Sequence, residues 1–348
     1  MSRLRLGAFL GIFLLCAGYA IQARSKAKTG EMAQPAQRAF SFRYEVHVPA
    51  NTLSGANSHL WIPLPQSDVH QDISALQIQS KAHYMKGRDP LYGDTFAMFT
   101  PTAKEAKEGF DVVLSFHVTR REYSVNVGEA KLQDASLVLP GHDRMIQRYL
   151  EPDKLIPLNA TIAELAKEKT EGATTPLEKA RRIYDYVAST MRYDKSGEGW
   201  GHGDEMWACD SKRGNCTDFH SVFIGMIRSS GIPARFEIGF PLPEGKTEGD
   251  IPGYHCWAEF YIKGTWIPVD ASEASKNPAR RDYFFGTVDA NRVMFTYGRD
   301  IQLSNFQKGE PLNYFVYPYA ESDGKAVKGL QTHFFFRDDT QSAAGSGL

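Results

Sequence analysis

Four cysteines in 348 residues are too few to build a fold on disulfides. Charge of one sign is also scarce: 40 Lys+Arg stand against 41 Asp+Glu, a net charge of -1. A dedicated nucleic-acid binder is usually basic, so that class is set aside. The glycine-rich stretch at Gly197–Gly203 has no Lys-Ser/Thr after it and is no phosphate loop. No acidic cluster has the spacing of a calcium loop, and no internal repeat is visible. What is present is ordinary globular material. Hydrophobic residues make up 42% and charged residues 23%, which excludes wholesale disorder and collagen-like structure. At about 150 residues per domain the length predicts roughly two domains, each able to bury a core.

The N-terminus points to a compartment. Arg3 and Arg5 precede an apolar run from Leu6 to Ala20, and Gly18 and Ala20 form a small-x-small site, with Ala23 as an alternative. This is the layout of a secretory signal peptide, expected over residues 1–23, and the run is short of the roughly 20 residues of a spanning helix. The expected location is periplasmic or secreted, with membrane contact only through the signal or an uncleaved anchor. Cys16 lies inside the run and is expected to leave with it. Cys209, Cys216 and Cys256 remain, and an odd count in an exported protein points to one free, reactive thiol.

Residues 24–38 are small and polar and read as a linker. Phe40, Phe42, Tyr44, Val46 and Val48 then alternate with polar residues, the period of a strand with one buried face. His59–Pro65, Asp111–Val118 and Glu122–Val127 are predicted as further strands, so residues 39–150 are expected to form a β-sandwich. His47 and His59 read as surface or satisfied histidines within it. After Pro152 the period becomes helical. Thr161-Ile-Ala-Glu164 and Thr175-Pro-Leu-Glu178 match capping boxes, and Leu177, Ala180, Ile183, Tyr184, Val187 and Met191 recur at helix spacing. Phe219, Val222, Phe223, Met226 and Ile227 mark a second helix, stopped by Gly231 and Pro233. Phe236–Phe240, His255–Ile262 and Thr265–Asp270 read as strands. The overall class is α+β: the sandwich, a core over 151–285, a β-rich extension over 286–340 and a disordered tail over 341–348.

Cys216 stands at the start of the second helix. A helix N-terminus carries about half a positive charge, which stabilises a thiolate and lowers a cysteine pKa. Its first N–H groups also point outward, toward a developing oxyanion. The alternative reading is a small residue buried at a helix start. If Lys263-Gly264 is a two-residue turn, Ile262 faces Thr265 and Trp257 faces Asp270. His255, Trp257 and Asp270 then share one face of the hairpin, while Cys256, Ala258, Phe260, Ile267 and Val269 take the other. A carboxylate beside the imidazole holds its tautomer and stabilises its protonated form. Pro268 cannot donate to a ladder, which requires an edge or a bulge there.

Gly214-Asn215-Cys216-Thr217-Asp218-Phe219, followed by Arg228-Ser-Ser-Gly231-Ile232-Pro233-Ala234-Arg235, resembles the core of transglutaminase-like proteins. So do His255-Cys-Trp257-Ala-Glu259-Phe-Tyr261 and Trp266-Ile-Pro268-Val-Asp270, with Cys, His and Asp in the family's order. The resemblance spans about residues 175–272. It implies a papain-like fold, with Cys216 as nucleophile, His255 as general base and acid, and Asp270 as its orienter. It also implies a thioester intermediate on a peptide or carboxamide, resolved by water or by an amine, with hydrolysis favoured over cross-linking. The substrate class is a peptide or protein, cell-wall peptide included. A catalytically silent scaffold of the same fold is the alternative. No cofactor and no metal are implied. A zinc site from Cys209, Cys216, His255 and Cys256 lacks a CxxC pair and needs adjacent strand residues to point the same way.

Tyr193, Trp200 and Trp207 are candidates for a second oxyanion donor, each with core or loop packing as the alternative. Asn215 suits a helix cap. Arg235 and Glu259 are expected to serve the fold, and His220 to be a surface or packing residue. Cys209 and Cys256 are either a disulfide or two thiols. The missing calcium loop yields a test: a calcium chelator is expected to leave the thiol-dependent activity unchanged, and a loss restored by calcium would overturn this.

Overall fold

The alternation around Phe42 forms a strand, and that strand organises the N-terminal half. In a computed structural model that describes residues 36–136, 139 and 143–339, six strands come first. They are β1 (Gln37–Val48), β2 (Ser58–Leu64), β3 (Gln71–Ser80), β4 (Tyr84–Arg88), β5 (Thr95–Phe99) and β6 (Phe110–Arg121). After a short helix at Arg144–Arg148 come four longer ones: α1 (Ala160–Lys169), α2 (Pro176–Thr190), α3 (Glu205–Ser211) and α4 (Cys216–Ser229). Next come β7 (Ala234–Pro241), β8 (Glu248–Asp250), β9 (His255–Ile262), β10 (Thr265–Val269) and α5 (Ala271–Lys276). The chain ends with β11 (Arg292–Tyr297), β12 (Tyr319–Ser322), β13 (Lys325–Ala326) and β14 (Gln331–Asp338). The expected signal segment, residues 24–35 of the expected linker and the tail lie outside the described residues, while Gln37 and Arg38, expected in that linker, already belong to β1. Among the described residues no helix is long and apolar enough to cross a membrane.

Two five-stranded antiparallel sheets form the β part, in the orders β8-β14-β1-β6-β3 and β13-β12-β2-β5-β4. β1 buries Phe40, Phe42, Tyr44, Val46 and Val48, as the alternation requires. β3, β4 and β5 had no strong sequence signal. β3 is an edge strand whose Ile73, Leu76 and Ile78 are only half-buried, and a register shift between Ser74 and Gln77 breaks their alternation. Conversely, the expected strand Glu122–Val127 shrinks to Tyr123–Ser124, with Val125 and Asn126 already outside any strand. The last strand, β14, lies between β1 and β8, so the C-terminal segment is built into the first sheet.

The third sheet runs β10-β9-β7-β11 and carries α4 against it. α2 begins as read, with a Thr175–Glu178 capping box and Pro176 in the first turn. α1 differs. Its cap is Asn159, whose side chain accepts from Ile162 N at 3.1 Å, so the helix starts before Thr161 can cap it. α4 is buried along its whole length from Cys216 to Arg228, which makes it the central element of the core. Pro268 sits on β10, an edge strand of this sheet, where its missing N–H is tolerated.

An aromatic cluster joins the first and third sheets. The Phe240 ring on β7 lies 4.3 Å from Phe334, 5.5 Å from Phe42 and 5.2 Å from Phe295, centroid to centroid. Tyr44 meets Phe334 edge-on at 4.6 Å. Phe334→Ala is therefore expected to lower stability by about 3–5 kcal/mol. Chemical denaturation measures this, and a loss below about 1 kcal/mol would mean that β14 adds little to the core.

Candidate active site

The site is assembled at the N-terminus of α4. Asn215 caps the helix, its side chain accepting from Thr217 N at 2.9 Å, and Asp218 returns the bond to Asn215 N at 2.8 Å. This capping box does more than start the helix. Asp218 also accepts from Gly201 N at 2.7 Å and Gly203 N at 2.9 Å, so the glycine-rich loop is fastened over the first turn. Gly203 has φ +61°, and a Cβ there would come within 2.6 Å of the Thr217 methyl. Cys216 becomes the first helical residue, 2% exposed. Its N–H is donated to no group among the described residues.

The β9–β10 hairpin supplies the partners. Lys263 and Gly264 both have positive φ, +47° and +85°, and make the two-residue turn that pairs Ile262 with Thr265. The parity then places His255 and Asp270 together, with His255 Nε2 2.7 Å from Asp270 Oδ2. Asp270 is fully buried and caps α5 as well. Its Oδ1 accepts from Glu273 N and from Ser272 Oγ, each at 3.0 Å, and its Oδ2 also receives Arg292 Nη1 at 3.2 Å. Since Nε2 is taken by Asp270, Nδ1 is the ring nitrogen left for the Cys216 thiol, which sits near enough to raise the pKa of the ring.

Three residues were left open or unmarked by the sequence. His220 is fully buried, the packing alternative of the two roles expected for it. Its Nδ1–H donates to the Cys216 carbonyl at 2.8 Å and its Nε2 accepts from Ala271 N at 3.2 Å. These two bonds hold a neutral imidazole, and burial lowers its pKa. The i,i+4 spacing from Cys216 was the available signal, since it puts both on one helix face. Cys256 does not pair with Cys209, and the three cysteines among the described residues are free thiols. Cys256 faces the first turn of α4 instead, with Sγ 3.7 Å from Thr217 Oγ1 and 3.8 Å from His220 Nδ1, in contact with Cys216. Arg292 lies far beyond the sequence motifs, and nothing local marked it.

Of the three candidate oxyanion donors, Trp200 gives its indole N–H to Gly197 O at 3.0 Å. Trp207 packs under the Arg213 guanidinium at 5.3 Å. Tyr193 is half-buried beside Phe219, and burial followed by the Cys216 charge raises its pKa. Tyr193 therefore stands in the field of the thiol. Arg235 and Glu259 lie apart, paired at 2.7 Å between Nε and Oε2, with Arg235 over the Trp266 ring at 4.3 Å. Among the described residues no three His, Cys, Asp or Glu side chains are placed to hold a metal ion.

The electrostatics are those of an ion pair. Burial pushes the Cys216 thiol up, but the contacts with Cys256 and His255 and the His255 charge outweigh it, and the thiol falls well below its ordinary value. Burial pulls His255 down, yet Asp270 and Cys216 raise it to about 10. Asp270, opposed by burial, is held well below the carboxylate range by His255, Arg292 and His220. A thiolate facing an imidazolium is the nucleophile–base arrangement of acyl transfer.

Residues 163–271 match the family model of the transglutaminase-like superfamily. An uncharacterized protein of Haemophilus influenzae is 27% identical over 335 residues, covering 86% of this chain and 89% of its own. A Mycobacterium leprae protein is 30% identical over 129 residues, 34% of this chain and 42% of its own. Among solved structures, one named as a candidate cysteine protease of Cytophaga hutchinsonii aligns over 86% of this chain and 91% of its own. Its TM-score is 0.59 at 16% identity, a likeness of fold.

The ion pair is testable on the intact protein. Iodoacetamide at pH 6 is expected to alkylate Cys216 at least about 10-fold faster than Cys209, whose thiol burial pushes up. His255→Ala is expected to abolish that preference. Equal rates in the unaltered protein, read by peptide mass mapping, would contradict it.

Proposed function

We propose that this protein, a member of the transglutaminase-like superfamily through its core at residues 163–271, is a thiol enzyme that acts on peptide or carboxamide bonds. The observation that carries this reading is the hydrogen bond of His255 to a fully buried Asp270, with Cys216 at the helix start near enough to shift the pKa of that ring. The Cys216 thiolate attacks the carbonyl carbon. The oxyanion that forms faces the free Cys216 N–H, with the Tyr193 hydroxyl as the second donor. His255 gives its Nδ1 proton to the departing amine, which leaves a thioester on Cys216 and a neutral imidazole. Water then enters, His255 takes a proton from it at Nδ1, and the thioester breaks to a carboxylic acid and the restored thiolate. Asp270 keeps the ring oriented and stabilises its charged form throughout.

Hydrolysis is the favoured outcome, with transfer to an amine as the competing one, and peptide, cell-wall peptide included, is the substrate class. The signal-like segment at residues 1–23 supports action outside the cytoplasm.

The test compares amine incorporation and cleavage across a proteome-derived peptide mixture, for the unaltered protein and for Cys216→Ala. Cleavage present in the first and reduced by about 10⁴-fold or more in the second is expected. Identical readouts in both arms would overturn the enzyme reading. Asp270→Asn is expected to cut kcat by roughly 10³–10⁴-fold. His255 is the proton donor and has a raised pKa, so its charged form is present below that pKa. Cleavage should therefore hold through neutral pH and fall as the pH passes about 10.

A further inference from the structure

We propose that Arg292 is a positioning residue that sets the working charge of the Cys216–His255 pair by sharing one carboxylate oxygen of Asp270 with His255. This rests on the thiol-enzyme reading above. Arg292 Nη1 reaches Asp270 Oδ2 at 3.2 Å, the same atom that His255 Nε2 reaches at 2.7 Å. The rest of the guanidinium is held. Nε and Nη2 each meet an Asp289 oxygen at 3.3 Å, and the plane lies 4.7 Å over the Trp257 ring. Trp257 is itself fixed by its indole N–H, which donates to Glu237 Oε2 at 2.6 Å. The shared face of His255 and Trp257 thus has a use, for Trp257 is the platform of the cation that governs His255's partner.

The Arg292 side chain is 3% exposed, so water does little to screen its charge. A guanidinium does not titrate in this range. Every other charged neighbour of His255 is different in kind. Asp270 holds it directly, and Glu273 comes within 3.8 Å but is tied to Lys276. From α4, Cys216 faces it and the neutral His220 sits 3.8 Å from Asp270. Arg292 and Asp289 close the side of β11. Glu244 and Arg280 line the same cavity of about 170 Å³ beside His255. Without Arg292 the full charge of Asp270 would act on the imidazolium, which would then hold its proton more tightly than a general acid should. Asp289 offsets part of the arginine's charge and so works in the opposite sense.

The two charges predict opposite shifts. Removing a nearby cation raises the pKa of both the thiol and the imidazolium, and removing a nearby anion lowers both. The experiment follows the pH dependence of Cys216 alkylation by iodoacetamide in the full chain, which requires no turnover. Arg292→Gln is expected to move the acid limb up by about one unit, Asp289→Asn to move it down, and Arg292→Lys to stay near the unaltered protein. A purely structural role would not give opposite signs. Shifts of the same sign, or none in either variant, would overturn the proposal while leaving an activated Cys216 in place. Should Arg292→Gln fail to fold, Asp289→Asn and Arg292→Lys carry the comparison. An unaltered protein in which Cys216 reacts no faster than Cys209 would instead bring down the thiol-enzyme reading, and this proposal with it.

Discussion

A buried carboxylate is unstable unless donors replace its water, and the site is arranged around one. Asp270 is fully buried and accepts from His255, Arg292, Ser272 and the Glu273 N–H. These donors come from the start of β9, from β11 and from the first turn of α5. The carboxylate therefore cannot be satisfied until the hairpin, the following helix and the next strand are all in place. Once it is, its charge raises the pKa of His255, and the His255 charge in turn lowers that of Cys216. The chemistry thus depends on a tertiary hydrogen-bond shell more than on the thiol itself.

Cys216 has its own support, and it is made of backbone. Asp218 binds the N–H groups of Gly201, Gly203 and Asn215, joining the glycine loop to the helix start. His220 ties the Cys216 carbonyl to the Ala271 N–H, the residue next to Asp270. The thiol and the carboxylate are in this way positioned by main-chain contacts, which have little freedom to drift. Cys256 fills the space behind Cys216 as a thiol whose pKa burial raises, so it stays protonated beside the thiolate.

The β part acts as the buttress of this arrangement. β7, which pairs with β9 at His255, and β11, which carries Arg292, present Phe240 and Phe295 to Phe42 and Tyr44 of β1. β14 returns from the C-terminus to seal the same cluster through Phe334. The first and last described strands pair with each other, so the third sheet is backed by a layer that closes only when β14 returns beside β1.

Much of this was legible in the order of residues. Asn215 and Asp218 state where α4 begins, Gly231 and Pro233 where it ends, and that alone puts Cys216 at a helix N-terminus. Lys263-Gly264 states the turn, and turn length fixes parity, so His255 and Asp270 had to share a face. These are local rules, acting over a few residues or across one hairpin. Which groups would converge from farther away was beyond them. The inward direction of His220, the neighbour chosen by Cys256, the cation that reaches Asp270 and the seat of β14 depend on how helices and sheets pack. That is decided by burial summed over the whole core, in which no single residue carries the signal. The sequence by itself determined the helix that begins at Cys216 and the histidine–carboxylate pair; the tertiary structure decided the charges that surround them, because a buried charge takes its partners from every element packed against it.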